Sequence, residues 1–365
     1  MPAQDALVIG LGYVGLPLAV QAARAGFRVT GFDTSAEIAA GVNAGRSHVD
    51  DVPAAEVVQA RARGFRATSD EAEIGPQDVI VICVPTPLSA ADGPDLGAVR
   101  TAAEAAGRLL RPGTLVSLES TTYPGTTDEV VRPLLEKTSG LTAGIDFSLV
   151  FSPERIDPGN PKYGLVNTPK IVGGVTPSCA GAAAAFYGQI CGQVVRAASA
   201  REAEMAKLLE NTYRHVNIAL VNEMVIFCRE LGIDLHDAIR CAATKPFGFQ
   251  PFYPGPGVGG HCIPIDPNYL SYKVRTLGYP ARPIARKLRG RGASVAYHDP
   301  HVPDWQVDGH GVPRASDLRA AVAAADLVIL LQAHRDYDLE WIAATAPLLL
   351  DTRGVVPAGA RAEAL

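Results

Sequence analysis

The sequence predicts an α/β fold: a doubly wound parallel sheet at the N-terminus, a central helical region built on one long helix, and a short α/β lobe at the C-terminus. Three observations predict it. Apolar runs of strand length alternate with Ala-rich helical stretches from the start to about residue 198. One helical periodicity then continues over residues 200–232. After Gly278 the text returns to strand-like runs.

The elements follow in order. "ALVIG" leads into "YVGLPLAVQAARAG", and "RVTGFD", "DVIVICVP", "AVRTAAEAAGRLL", "TLVSLES" and "FSLVFSP" continue the alternation. Runs without polar alternation are strands buried on both faces, hence a parallel sheet with right-handed crossovers. "KIVGG" and "GQVVRA" add further strands. Met205, Leu209, Tyr213, Val216, Leu220, Met224, Phe227 and Leu231 recur at steps of three and four, the pattern of one buried stripe. Such a helix either packs within its own lobe or joins subunits, and the pattern alone leaves both open. Gly232 is its stop, and "DLHDAIRCAAT" a second helix. In the tail, "ASVAYHDP", "DLVILLQ" and "LLLDTRG" read as strands and "LRAAVAAA" as a helix. The expected domains are 1–199, 200–282 and 283–365, the last short for a complete α/β domain.

Composition narrows the function classes. Hydrophobic residues make up 47% of the 365, so a folded chain with real cores is expected. Formal net charge is −5 and no basic block is present, so nucleic acid is not an expected partner. No apolar run reaches membrane-spanning length, and "MPAQDALVIG" lacks the pattern of a secretion signal. The six cysteines are scattered without metal-ligand spacing, so reduced thiols, no metal site and a cytoplasmic location are expected.

"VIGLGYVGLPLA" carries Gly10-x-Gly12-x-x-Gly15 between a strand and a helix. The first glycine permits a tight turn, the second lets backbone approach a pyrophosphate, and the third allows close helix–strand contact. Asp33 follows Gly15 by 18 residues at the end of the next strand, where a carboxylate holds a ribose 2′-hydroxyl. Thr34 and Ser35 come next, with no basic residue to receive a 2′-phosphate, which favours NAD over NADP. Tyr13 and Val14 lie inside the turn, and Val84, Thr86 and Thr121 sit at later strand ends, where doubly wound sheets bind ligands. All are candidate cofactor contacts; taken alone, each threonine also reads as a turn residue.

The segment "FYPGPGVGGHCIPIDPNYL" sets Cys262 and Asp266 among glycines and prolines. On spacing alone Cys262 reads equally as a nucleophile on a stiff turn or as a small core residue. "FSPERIDPGN" presents Glu154 and Arg155 at a strand end. Lys207 and Asn211 lie one helical turn apart, an ammonium and an amide on one face. Together they can steady an oxyanion, although a helix lysine is ordinarily just solvated.

These stretches, with "CVPTPL", "ESTTYPGTT", "TPKIVGG", "KLLENTYRHVNIALVNE", "KPFGFQPFYPGPGVGGHCIPIDPNYL" and "YHDPHVP", resemble the UDP-glucose/GDP-mannose dehydrogenase family, closest to its bacterial UDP-N-acetylglucosamine 6-dehydrogenases. The likeness is almost continuous over residues 5–282 and partial thereafter. It implies a Rossmann-like NAD domain and oxidation of a UDP-sugar at C6 to the acid, with two NAD used in turn. By the same resemblance Cys262 is the nucleophile, Glu154 the general base, Lys207 and Asn211 the oxyanion stabilisers, and Asp266 a water-orienting or proton-transfer group. Arg155, Ile156, Phe252, Tyr253, Gly255 and Gly259 fall in segments that hold the nucleotide sugar, and a homodimer through the long helix is expected.

The sequence departs from the family after Arg282. A helix, the first strand of the third domain and a loop with a nucleotide-binding Lys and Arg are missing, so a truncated C-terminal α/β domain with a sheet short of a central strand is expected. Three alternatives stay open: an impaired NAD-binding relative, a UDP-glucose 6-dehydrogenase, and a single-step hydroxyacid dehydrogenase.

Overall fold

The computed structural model describes residues 4–89, 93–156, 160, 162–259, 263, 265–276, 281–356 and 362–364. They fall into two compact units, Met1–Tyr272 and Lys273–Leu365.

The first unit begins with β1 (Asp5–Ile9), α1 (Gly15–Arg24), β2 (Arg28–Phe32), α2 (Ala36–Asn43), α3 (Ala54–Ala62) and β3 (Arg66–Thr68). β4 (Val79–Ile82), α4 (Gly97–Leu109), β5 (Leu115–Leu118), α5 (Arg132–Ser139), β6 (Ser148–Phe151), β7 (Lys170–Gly174), α6 (Pro177–Tyr187) and β8 (Val194–Arg196) complete the sheet and its covering helices. α7 (Ala200–Glu230), α8 (Leu235–Ala242) and α9 (Asp266–Thr276) follow; α9 runs on past the unit boundary.

The sheet order is β3-β2-β1-β4-β5-β6-β7-β8, with β1 to β6 parallel. The apolar runs explain themselves here. In β1, Ala6 and Val8 enter one core while Leu7 and Ile9 enter the core on the other face. In β4, Val79 and Val81 take the first side and Ile80 and Ile82 the second. Each such Val, Leu or Ile side chain removed from water contributes about 1.5–3 kcal/mol. On α4, Val99, Ala102, Ala103 and Ala106 recur at helical spacing and bury against the second core. The strand order reverses between β1 and β4, which opens a crevice at their C-terminal ends.

One strand reverses direction in this unit, and one expectation needs correction. First, β7 runs antiparallel to β6. Residues 152–169 hold no helix among those described, and a parallel neighbour needs a crossover. Secondly, the apolar stripe of α7 is not buried. Ala200, Ala203 and Leu208 pack at its base, but Leu209, Tyr213, Val216, Leu220, Met224, Phe227 and Leu231 are exposed, Phe227 by 59%. α8 packs on Val221, with Cys228 beside it, through Leu235 and Ile239. No helix of the described residues is long and apolar enough to cross a membrane.

The second unit contains α10 (Ala281–Gly290), a hairpin of β9 (Gln306–Val307) and β10 (His310–Gly311), α11 (Leu318–Ala324), β11 (Val328–Leu330), α12 (Leu339–Thr345), β12 (Leu349–Asp351) and β13 (Ala362–Ala364). The hairpin turns at Asp308 and Gly309, both with positive φ (52° and 76°), the two-residue turn that matches strand twist. β11, β12 and β13 form a parallel sheet over a small core of Val322, Leu330, Ile342, Ala343 and Leu349. "ASVAYHDP" is not a strand, contrary to expectation; Tyr297 makes a single bridge to Arg314. A strand exists only with a neighbour to pair with, and among the described residues this segment pairs through Tyr297 alone.

Candidate active site

The turn after β1 has the shape a dinucleotide needs. Gly10 has φ +90° and its N–H donates to the Phe32 carbonyl at 2.8 Å. A Cβ on Gly15 would stand 1.8 Å from the Gly10 carbonyl oxygen, so this position admits hydrogen alone. A Cβ on Gly12 would meet nothing within 4 Å; the backbone faces open space at the mouth of α1. No side chain caps α1, whose N-cap residue is Val14. Its leading dipole is therefore left for an anion.

Asp33 is fixed at the far wall. Its Oδ2 accepts the Leu11 N–H at 2.9 Å and its Oδ1 the Ser35 N–H at 2.9 Å, so the acid is tied to the glycine turn itself. His48 steadies the same turn through the Leu11 carbonyl at 2.7 Å. Across the crevice, Thr86 Oγ1 donates to the Thr121 carbonyl at 2.8 Å, and Ser120 Oγ donates to the Val84 carbonyl at 2.7 Å. These bonds stitch the ends of β4 and β5 together. Tyr13 stands at the rim, 62% exposed. An open glycine cradle, an uncapped helix terminus and an anchored carboxylate without a basic neighbour fit NAD.

Lys207, Asn211 and Asp266 come together. Asn211 Nδ2 donates to Asp266 Oδ2 at 2.5 Å. Burial raises Asp266 to about 6, while the Asn211 hydrogen bond and the Lys207 ammonium draw it back. Lys207 is buried on α7 rather than solvated. Tyr269, on α9, donates its hydroxyl to the Thr86 carbonyl, so the helix beginning at Asp266 is joined to the end of β4. Cys262 lies outside the described residues, as do Gly260, His261 and Pro264.

Glu154 stands just beyond β6. Its Oε1 accepts the N–H groups of Arg155 at 2.6 Å and Ile156 at 2.5 Å. Arg155 pairs with Glu210 (Nη2–Oε1 2.6 Å) and donates to the Pro169 carbonyl at 2.7 Å. That places the Glu154 turn against α7 next to Asn211. Ile156 packs on the first core. In the following loop, Phe252 meets Tyr213 edge-on at 5.8 Å, Tyr253 stacks on His236 at 6.4 Å, and the Gly255 N–H donates to Asn222 at 2.9 Å. Gly259 has φ +67°.

Four buried groups were missed by sequence reasoning. Lys170 Nζ lies 2.7 Å from Glu119 Oε2, and the Tyr187 hydroxyl donates to Glu119 Oε1 at 2.6 Å. Glu204 accepts from the Gly125 N–H (2.5 Å), the Thr127 N–H (2.9 Å) and the Thr127 hydroxyl (2.7 Å). Burial pushes Glu204 to about 7 against these bonds. A signal was present: Glu119 ends the run "TLVSLE", Lys170 opens "KIVGG", and Glu204 shares a helix face with Ala200 and Leu208. Isolated charges in apolar runs are rare unless paired.

Comparison with known proteins places the chain in a family. Three domains of the UDP-glucose/GDP-mannose dehydrogenase family match: the NAD binding domain at residues 4–191, the central domain at 201–289 and the UDP binding domain at 278–358. A UDP-N-acetyl-D-glucosamine 6-dehydrogenase of Pseudomonas aeruginosa is 40% identical over 292 residues, covering 79% of this chain and 68% of that protein. A UDP-N-acetyl-D-mannosamine dehydrogenase of Pyrococcus horikoshii is 37% identical over 79% of this chain and 69% of its own length. The solved UDP-D-ManNAc dehydrogenase from Pyrococcus horikoshii superposes with a TM-score of 0.69 at 28% identity, covering 99% of this chain and 98% of that one. The chain belongs to the UDP-glucose/GDP-mannose dehydrogenase family of NAD-dependent oxidoreductases.

Proposed function

We propose that this chain oxidises C6 of a UDP-N-acetylhexosamine, UDP-N-acetylglucosamine first among them, from alcohol to carboxylate in two NAD-dependent steps. The observation that carries the reading is the Asn211–Asp266 hydrogen bond beside Lys207. Asp266 lies four residues beyond Cys262, so this bond ties the cysteine's loop to the helix that supplies the ammonium and amide.

Bound NAD supplies the hydride acceptor, held by Gly10, Gly12, Tyr13, Val14, Gly15, Asp33, Val84, Thr86 and Thr121. Glu154 takes the proton of the C6 hydroxyl, directly or through water, as the first hydride leaves. The resulting aldehyde is a poor hydride donor until a nucleophile adds. Cys262 adds as the thiolate, and Lys207 and Asn211 steady the oxyanion of the thiohemiacetal. Loss of the second hydride leaves a thioester, which water oriented by Asp266 hydrolyses, freeing the thiol and the uronic acid. Arg155, Ile156, Phe252, Tyr253, Gly255 and Gly259 hold the sugar nucleotide. The product serves glycan precursor synthesis in the cytoplasm, and the exposed stripe of α7 supports a homodimer.

The test counts NADH released per UDP-sugar over a panel of UDP- and GDP-sugars. Two per UDP-N-acetylglucosamine are expected, and Cys262→Ser abolishes acid formation. Full turnover to the acid by Cys262→Ser refutes the cysteine's role. A second reading, an NAD-binding relative that has lost catalysis, draws on the 293–299 segment of the second unit, which forms no strand and makes a single bridge at Tyr297. NAD binding without binding of any UDP-sugar, by calorimetry, favours it.

A further inference from the structure

We propose that Lys170 is a positioning residue for Glu154, its ammonium holding that side chain as a carboxylate ready to take a proton. The inference rests on Glu154 being the general base. Three strand ends meet at this point: Glu119 follows β5, Glu154 follows β6 and Lys170 opens β7. Lys170 Nζ stands 3.8 Å from Glu154 Oε2, 2.7 Å from Glu119 Oε2 and 3.3 Å from the Pro153 carbonyl, and its side chain is 4% exposed. The antiparallel turn-back of β7 is what brings it there.

The two oxygens of Glu154 are unlike. Oε1 is occupied by two backbone N–H groups. Oε2 is buried without a hydrogen-bond partner among the described residues, and so is the Thr168 hydroxyl. Both residues line a cavity of about 10 Å³ together with Lys170. That is close to the smallest space that admits one water. Oε2 is thus the oxygen left to accept a proton, and Lys170 is the charge beside it.

One ammonium serves two carboxylates. Glu119 holds the direct bond, with Tyr187 on its other oxygen, so Lys170 is fixed by Glu119 and shares its field with Glu154. The other titratable groups facing Lys170 are Tyr187, Cys191 and Cys83, and burial raises all three. They stay neutral through the working range. Arg155 is engaged with Glu210, and Asp266 faces Asn211 and Lys207 instead.

The experiment uses the full chain with NAD and UDP-N-acetylglucosamine, and reads kcat, KM and the pH profile of kcat/KM. Lys170→Met is expected to lower kcat on the order of 100-fold with KM little changed, within the range general-base catalysis supplies. Its acid limb moves to higher pH by one unit or more. Lys170→Arg restores most of the rate. Glu119→Gln, which leaves the ammonium to Glu154 alone, moves the limb the opposite way. An unshifted limb in both Lys170→Met and Glu119→Gln, or a shift of the same sign in both, overturns the proposal even if rates fall. Such a fall would report folding alone. Glu154→Gln separates the two readings. If it loses acid formation while Lys170→Met is unaffected, the base stands and the role of Lys170 fails; if it keeps full activity, the base itself fails. Should the chain show no turnover, the carboxyl infrared band lost in Glu154→Gln is titrated in the same variants, with the same opposed shifts expected.

Discussion

Gly12 and Gly15 lie three residues apart in one turn, yet a methyl group at each should fail in a different way. At Gly15 the added Cβ would be 1.8 Å from the Gly10 carbonyl oxygen and 3.2 Å from Val8 Cγ1. Relief of the first contact alone needs a shift of about 1.2 Å between the end of β1 and α1, and overpacking of this kind costs about 1–3 kcal/mol or more. At about 2–4 °C per kcal/mol in a domain of this size, Gly15→Ala should lower Tm by about 5 °C, with NAD affinity falling as a consequence. At Gly12 nothing lies within 4 Å, so Gly12→Ala should leave Tm unchanged. Its methyl group instead fills the space a pyrophosphate must enter, and a tenfold or greater loss of NAD affinity, about 1.4 kcal/mol, is expected. Differential scanning fluorimetry and NAD titration calorimetry on the two variants give both readings. Unchanged NAD affinity in Gly12→Ala, or an unchanged Tm in Gly15→Ala, would show that the turn does not hold the cofactor as argued.

Other consequences can be checked in parallel. Glu204 is raised from 4.5 to about 7, so in the folded chain it binds a proton more tightly than when unfolded. Its contribution is therefore full below about pH 4.5 and is lost as pH rises through about 7, a change on the order of 3 kcal/mol. Glu204→Gln should flatten the urea-denaturation stability between those limits; an unchanged slope refutes the shift. Asn211→Ala removes the amide that favours the Asp266 carboxylate, and kcat should fall on the order of 100-fold with NAD affinity intact. Measuring both by stopped-flow and calorimetry decides it, and a kcat within twofold of the parent counts against the oxyanion role. Leu220→Glu with Phe227→Glu should convert a dimer to a monomer in light scattering at micromolar concentration. A parent chain already monomeric there removes the dimer proposal.

The legible parts of the fold share one physical cause. β1 and β4 could be read because both faces are buried, which leaves an apolar run that few other structures produce. The place of Asp33 just beyond β2, bonded to the glycine turn, could be read because one acid at one spacing marks it. The α7 stripe was legible as a stripe but not as a surface. Periodicity tells which residues share a face, not what covers it. "ASVAYHDP" misled because β-propensity reports a residue's fitness for pairing, while pairing itself depends on a second segment. The Glu119–Lys170–Glu154 group was illegible for a related reason. Its members lie 51 and 16 residues from one another along the chain, and only the direction of β7 brings them within reach.

The Tyr269 hydroxyl bond to the Thr86 carbonyl carries a mechanical meaning. The rod that opens with Asp266 is bolted to the end of β4, and the bolt is shielded from water, Tyr269 being 1% exposed. The Asp266 carboxyl and that strand end therefore travel as one part, and loosening the joint with Tyr269→Phe should lower kcat while leaving NAD affinity intact.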